Sequence, residues 1–222
     1  MTERRATSRE VARAALHEDP AVPDGRAARV VRSRLAICDA CLDLVQEGIL
    51  QPSADQIADR AGLSRRSIFY HFRDLAELYD AVVEAGMQRC APLQKKIPQE
   101  LPATERVAAL AASRARFFEA TAPFARALTA QALVGNASAE AWRVSQEALG
   151  AQREEVLELF DHELADLSLS MRTETAEALA AAASPSNWEY LRRSRGLSLP
   201  RARAVVTRTL LALLQGAGTH LA

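Results

Sequence analysis

The chain has 222 residues, 49% of them hydrophobic and 25% charged, and its 28 basic side chains are matched by 28 acidic ones. That length buries one large core or two small ones, while so even a balance gives no broad electrostatic capture of a polyanion. No run nears the roughly 18 apolar residues of a membrane span, and the charged start MTERRATSREVARAALHEDP lacks the apolar stretch of a signal peptide, so the expected location is the cytoplasm.

Strand signals are nearly absent. Ala, Leu, Arg and Glu dominate, and apolar residues recur at helical spacing along almost the whole length, which predicts an all-α protein. Residues 1–26 hold Pro20, Pro23 and Gly25 and little apolar content; they read as a flexible arm, with at most a short helix over Val11 to Leu16. A first firm helix is expected from about Ala27 to Glu47, stopped at Gly48, since glycine takes the left-handed conformation that ends helices. Within it Leu35, Cys38, Leu42 and Val45 recur at three, four and three residues. Cys38 and Cys41 form a C-x-x-C, but no second ligand pair and no preceding strand support a metal or redox reading, so both thiols are expected to pack in the core.

Three short signals follow. Ser53-Ala54-Asp55-Gln56 matches the capping box, in which a serine hydroxyl and a Gln three residues on satisfy each other's free amides. That helix should end at Gly62. Ser64 then caps a helix from about Arg65 to His71, and Asp74 with Glu77 caps a fourth running toward Arg89, with Pro92 and Pro98 beyond. Further helices are expected at about 103–120, 122–135, 138–165, 171–183, 186–195 and 200–217.

The stretch AGLSRRSIFYHF, Ala61 to Phe72, carries the chemistry. Ile57, Ala58 and Ala61 share one helical face; Leu63, Ile68 and Phe72 supply the apolar contacts of the turn and the next helix. With the long helix before them they form a helix-turn-helix unit. Ile68 and Phe72 facing inward leave Arg65, Arg66, Ser67 and Tyr70 to face out. Such a helix fits the major groove of double-stranded DNA, where a guanidinium fork donates bidentately to guanine. His71 and Arg73 would lie near the flanking backbone, and the helix starts at Ser53 and Asp74 bring free N–H groups toward phosphates. Residues 1–73 hold 12 arginines and 10 acidic residues, a small excess of the right sign.

From Arg34 to Val83 the chain resembles the DNA-binding domain of the tetracycline-repressor (TetR) family of bacterial transcription regulators. The resemblance rests on Gly48, Ile57-Ala58, Ala61-Gly62-Leu63-Ser64, Ser67-Ile68-Phe69-Tyr70-His71-Phe72 and Leu78. Beyond it, WEYLRRSRGLS followed by an apolar helix also looks like family members. Two positions depart: the family usually has tyrosine at Phe69 and often lysine at Leu75, both phosphate contacts. Arg73, Arg66 or the arginine-bearing arm would compensate. The DNA-contacting set is therefore Ser53, Ser64, Arg65, Arg66, Ser67, Phe69, Tyr70, His71 and Arg73.

The resemblance further implies that residues 27–73 form the DNA-binding domain and 74–222 a helical ligand-binding and dimerisation domain. The pocket is expected among Met87, Phe117, Phe118, Phe124, Leu133, Trp142 and Leu149, with a small, mostly apolar effector. The homodimer face is expected on Leu179, Ala183, Val206, Leu210, Leu213 and Leu214. Two copies would read a palindromic operator, as a repressor that the effector releases. His162, with Asp166 four residues on, sits in charge-rich surroundings, as do Glu154-Glu155, and solvation accounts for them. No G-x-S-x-G, phosphate-cradling glycine loop or dinucleotide fingerprint occurs, so no enzyme, cofactor or metal is expected. Two other readings stay open: an all-helical carrier of small molecules, and a helical interaction module without DNA binding.

Overall fold

A computed structural model describes residues 25–133 and 139–219. Of the arm expected over residues 1–26, residues 1–24, with the short helix expected at Val11 to Leu16, lie outside the described residues, and Gly25 already opens the first described helix. Among the described residues there are ten α-helices and no strand. In chain order they are α1 (Gly25–Gln46), α2 (Ala54–Ala61), α3 (Arg65–His71), α4 (Leu75–Cys90), α5 (Ala103–Leu133), α6 (Ala139–Leu159), α7 (Asp161–Leu164), α8 (Leu169–Ala182), α9 (Pro185–Glu189) and α10 (Leu199–Thr219).

Local chemistry sets the N-terminal boundaries. Gly48 adopts φ 97° just past α1. Ser53 Oγ accepts the Gln56 amide at 3.2 Å, while Gln56 Oε1 accepts the Ser53 amide at 2.9 Å, so two orphan amides are closed reciprocally. Gly62, at φ 67° and ψ 31°, ends α2 and allows the tight turn into α3. Ser64 caps α3 through the Ser67 amide, and Asp74 caps α4 through the Glu77 amide at 2.8 Å. Glu77 reaches back to accept the Arg73 amide at 2.9 Å.

Two cores result. The first gathers Ile37, Cys38, Cys41, Leu42, Ile57, Ala58, Ile68, Phe72, Leu78 and Val82 from α1 to α4. Both cysteines belong to it, and burial pushes Cys38 up to about 11 and Cys41 up to about 12, so neither carries thiolate at neutral pH. Leu35 departs from the expected stripe: it is exposed, because Ile37, Cys41 and Leu44 turn the inward face past it. The second core joins α5 to α10 through Val107, Leu110, Phe117, Phe118, Phe160, Leu179, Trp188, Val206 and Leu210. α4 spans both, with Leu78 and Val82 in the first and Cys90 in the second.

Three boundaries differ from expectation. The helices expected at 103–120 and 122–135 are one 31-residue helix, α5, with Pro123 inside it. A proline removes one intrahelical hydrogen bond, but α5 packs on α1, α4, α6, α9 and α10 at once, and this packing holds it continuous. The helix expected at 138–165 instead breaks at Phe160, giving α6 and α7. Arg106, buried at the start of α5, donates there to the Leu159 carbonyl and to Glu163, and to the Leu101 carbonyl at 2.9 Å. The segment expected as one helix at 186–195 is α9 followed by a π turn over Tyr190–Ser194. Nearby, Glu119 accepts hydrogen bonds from Arg192 and from the Trp188 indole N–H, which together hold its carboxyl below the usual carboxylate range.

Candidate nucleic-acid interface and adjoining cavity

α3 is seven residues long, too short to hold itself as an isolated helix. Its orientation comes from two side chains: Ile68 is fully buried and Phe72 is 1% exposed. Arg34 adds a third restraint. Its guanidinium donates to the His71 carbonyl, lies 4.1 Å from the Phe72 ring centroid, and sits 3.5 Å from Glu77. Arg34 was not among the residues expected to matter; a cation three residues before the apolar stripe of α1 gives no local sign of a partner 37 residues on.

With Ile68 and Phe72 inward, Arg65, Arg66, Phe69 and Tyr70 form one exposed face with a shallow concavity between them. Tyr70 is 69% exposed. Arg65 is held in place by Asp55 of α2 at 3.0 Å and lies 5.8 Å from the Phe69 ring centroid. Arg66 is exposed and has no ion-pair partner among the described residues. Arg73 is exposed and donates to Asp74 at 3.1 Å; the Glu77 amide and then Arg73 hold the Asp74 carboxyl below its usual range. Ser67 is half-buried, its hydroxyl 3.0 Å from that of Ser64, and both belong to the cap of α3. Ser53 is exposed and caps α2. His71 is half-buried, its ring edge-on to Tyr70 at 5.1 Å. Leu75, where a phosphate-binding lysine was expected by resemblance, is half-buried and packs on the first core.

Behind α4 lies a cavity of ≈ 120 Å³ walled by α4, α5 and α6. Met87, Phe117, Phe118, Phe124 and Leu149 line it. Leu133 and Trp142 do not: Leu133 is 83% exposed at the end of α5, and Trp142 sits on the outward side of α6. Thr121, Ser145 and Gln152 also face the cavity and were missed. Ser145, Ala148, Leu149 and Gln152 fall at three, one and three residues, a helical face whose pattern the flanking charges obscured. A second void of ≈ 40 Å³ lies between the two cores, with Tyr79 and Gln131 on its wall and Phe124 shared with the larger cavity. Tyr79 donates to the Pro52 carbonyl at 2.9 Å, and burial pushes its phenol up to about 12.

Four of the six residues expected at the dimer face are buried within one chain. Leu179, Ala183, Val206 and Leu210 are all under 5% exposed within one chain, because α8 and α10 use their apolar stripes to close their own core. Leu213 and Leu214 are partly buried against that core. What α10 leaves open is the side bearing Ala204, Thr207, Leu211 and Ala212, which with Ala108 and Ala112 of α5 forms a broad groove.

A short helix-turn-helix unit with an outward basic-aromatic helix, set on a larger helical body, is the build of DNA-binding transcriptional regulators. Residues 43–82 match the family of bacterial regulatory proteins, tetR family. The fold is similar to a crystal structure of a tetR-family transcriptional regulator from Streptomyces coelicolor, at TM-score 0.66 and 18% identity over 85% of this chain and 83% of that one. It is also similar to a transcriptional regulator from Rhodococcus sp. Rha1, at TM-score 0.64 and 16% identity over 82% of this chain and 96% of that one. No curated protein matches the chain in sequence. The family match is confined to the N-terminal helix-turn-helix unit, and over most of its length the chain shares the all-helical fold of these two proteins. No described helix is long and apolar enough to cross a membrane.

Proposed function

We propose that the protein is a cytoplasmic, dimeric repressor whose two α3 helices read a palindromic operator and which a small apolar effector releases. The observation that carries the DNA-reading part is the outward face of α3: four exposed side chains, two of them arginines, on a helix whose orientation buried Ile68 and Phe72 fix. A carrier or an interaction module gives that face no use. Arg66, free of ion pairs, is the side chain best placed for base edges; Arg65 must first leave Asp55. Arg73 and the cap amides at Ser53 and Ser64 suit phosphates. The open groove on α10 and α5 is the face proposed for the second copy. The effector site is the cavity behind α4, whose wall residues Val83, Gly86 and Met87 lie on the helix that carries Leu78 and Val82 into the DNA-binding core. An occupant that binds better when α4 is displaced would respace the two α3 helices.

Substitution separates the roles. Arg66→Ala is expected to weaken operator binding roughly ten- to a hundredfold and to relax preference at one base position per half-site. Arg73→Ala should weaken binding to all sequences alike and lower the salt dependence by about one counterion. Gel-shift titrations against operator and scrambled DNA at two salt concentrations distinguish these outcomes. Equal behaviour of the two variants would remove the assignment.

A further inference from the structure

We propose that Phe124 and Tyr79 relay the state of the cavity behind α4 to the DNA-reading unit: an occupant pushes the Phe124 ring toward Tyr79, which then releases the Pro52 carbonyl at the start of α2. This rests on the reading of that cavity as a regulatory site and adds the side chains through which its state reaches α2 and α3.

The tie itself is one hydrogen bond. Tyr79 of α4 donates to the Pro52 carbonyl at 2.9 Å, and Pro52 is a buried residue immediately before Ser53, the cap of α2. The Gln131 side chain of α5, 4% exposed, hydrogen-bonds the same phenol. Tyr79 thus joins α4, the last turn of α5 and the entry to the helix-turn-helix. α2 in turn matters to the reading face, because Asp55 in its first turn holds Arg65 of α3 at 3.0 Å. A carbonyl left without its donor is costly in a buried place, so the start of α2 shifts when Tyr79 moves.

There is room for that movement. Protein interiors have few voids, yet one of ≈ 40 Å³ lies against Tyr79 and Gln131. Val83, Phe124 and Leu128 line both this void and the larger cavity, and so form the partition between them. Phe124 is the one ring in the partition, and it packs against both cores. The smaller void is too small for an organic ligand but large enough for a ring edge to tilt into. Asp80 is its one charged lining residue, and Leu50, in the loop that leads to Pro52, also lines it. A ring entering the void therefore presses on that loop as well as on Tyr79.

The backbone that carries Phe124 is pliable. Pro123 beside it has no amide to donate, so α5 lacks one hydrogen bond there. The Thr121 and Thr129 hydroxyls donate to the Phe117 and Ala125 carbonyls at 2.9 and 2.8 Å, a contact that bends helices. α5 stays continuous and still flexes at the ring that divides the two spaces.

The test needs no ligand. Ala148 and Ser145 of α6 line the larger cavity, so Ala148→Phe places a ring in it as a covalent stand-in for an occupant. Ser145→Phe is the second such variant, and urea midpoints show which variants fold. Hydrogen exchange at the α2 amides and operator titration are read for wild type, Tyr79→Phe, Ala148→Phe and the double variant. Tyr79→Phe should speed exchange at Ile57 and Ala58 and lower operator affinity, each about tenfold, as one lost hydrogen bond does. Exchange in α8 and α10 should be unaltered. Ala148→Phe should act likewise, and adding it to Tyr79→Phe should change either reading less than twofold, because the tie is already gone. Unchanged α2 exchange in Tyr79→Phe, effects of the two substitutions that multiply, or no α2 response to either cavity-filling variant would each overturn the proposal. Coupled exchange in a chain that selects no DNA keeps the relay and removes the regulator reading. Loss of operator binding in Ala148→Phe that multiplies with Tyr79→Phe keeps the regulator and removes the relay.

Discussion

Phe72→Ala is expected to destabilise the protein by about 3–5 kcal/mol and to abolish sequence-specific DNA binding even in the fraction that stays folded. The ring is 1% exposed, at the residue that ends α3, and its backbone amide donates to the Ile68 carbonyl at 2.9 Å. Removing it opens a cavity between α1 and α3 and takes the surface on which the Arg34 guanidinium rests. α3 then keeps Ile68 as its one fully buried anchor, and a seven-residue helix with one anchor is free to roll. Phe72→Leu fills most of the volume and should lose far less stability. Urea unfolding combined with operator titration checks both parts. An unchanged urea midpoint, or an unchanged operator preference, would mean that α3 is held by something other than these two side chains.

The second large effect is expected at Arg106, far from α3. Arg106→Ala should destabilise by about 3–5 kcal/mol, the range for removing one partner of a buried charge pair. The guanidinium is 8% exposed as a side chain and serves three acceptors: Leu101, Leu159 and Glu163. Its carbon also lies 5.4 Å from the Phe160 ring centroid, so the side chain packs as well as bonds. Lysine has one ammonium where three separate directions must be met, and Arg106→Lys should recover less than half of the loss. Sequence preference for DNA should be unaltered in both variants. Thermal or urea unfolding reads the first result and fragment selection the second. A stability change below about 1 kcal/mol, the size of an exposed pair, would show that the α6–α7 break is held without Arg106.

These two sites mark where the sequence was legible and where it was not. The caps at Ser53, Ser64 and Asp74 and the turn at Gly62 depend on neighbours within four residues, and each was readable because its partner stands beside it in the chain. The outward face of α3 followed from the inward pull of Ile68 and Phe72. The break at Phe160 carries no glycine or proline; its cause is Arg106, more than fifty residues earlier, which no local pattern reveals. The gap expected between 120 and 122 is the opposite case: Pro123 stands just beyond it, yet α5 runs through, packed on five helices. Glu155 sits in a run that reads as solvated, yet it neutralises buried Arg114, whose guanidinium burial pulls down from its ordinary value. The stripe on α10 was legible as apolar, and its Val206 and Leu210 are buried in the chain's own second core. Periodicity says that a face is buried, and only the fold says against what.

The most direct measurement of the central claim is selection of random duplex DNA by the full chain, wild type beside Arg66→Ala. The account predicts enrichment of an inverted repeat whose half-sites lie whole helical turns apart, with Arg66→Ala losing preference at the same position in each half. Enrichment of no sequence, or a selected site indifferent to Arg66, would contradict it.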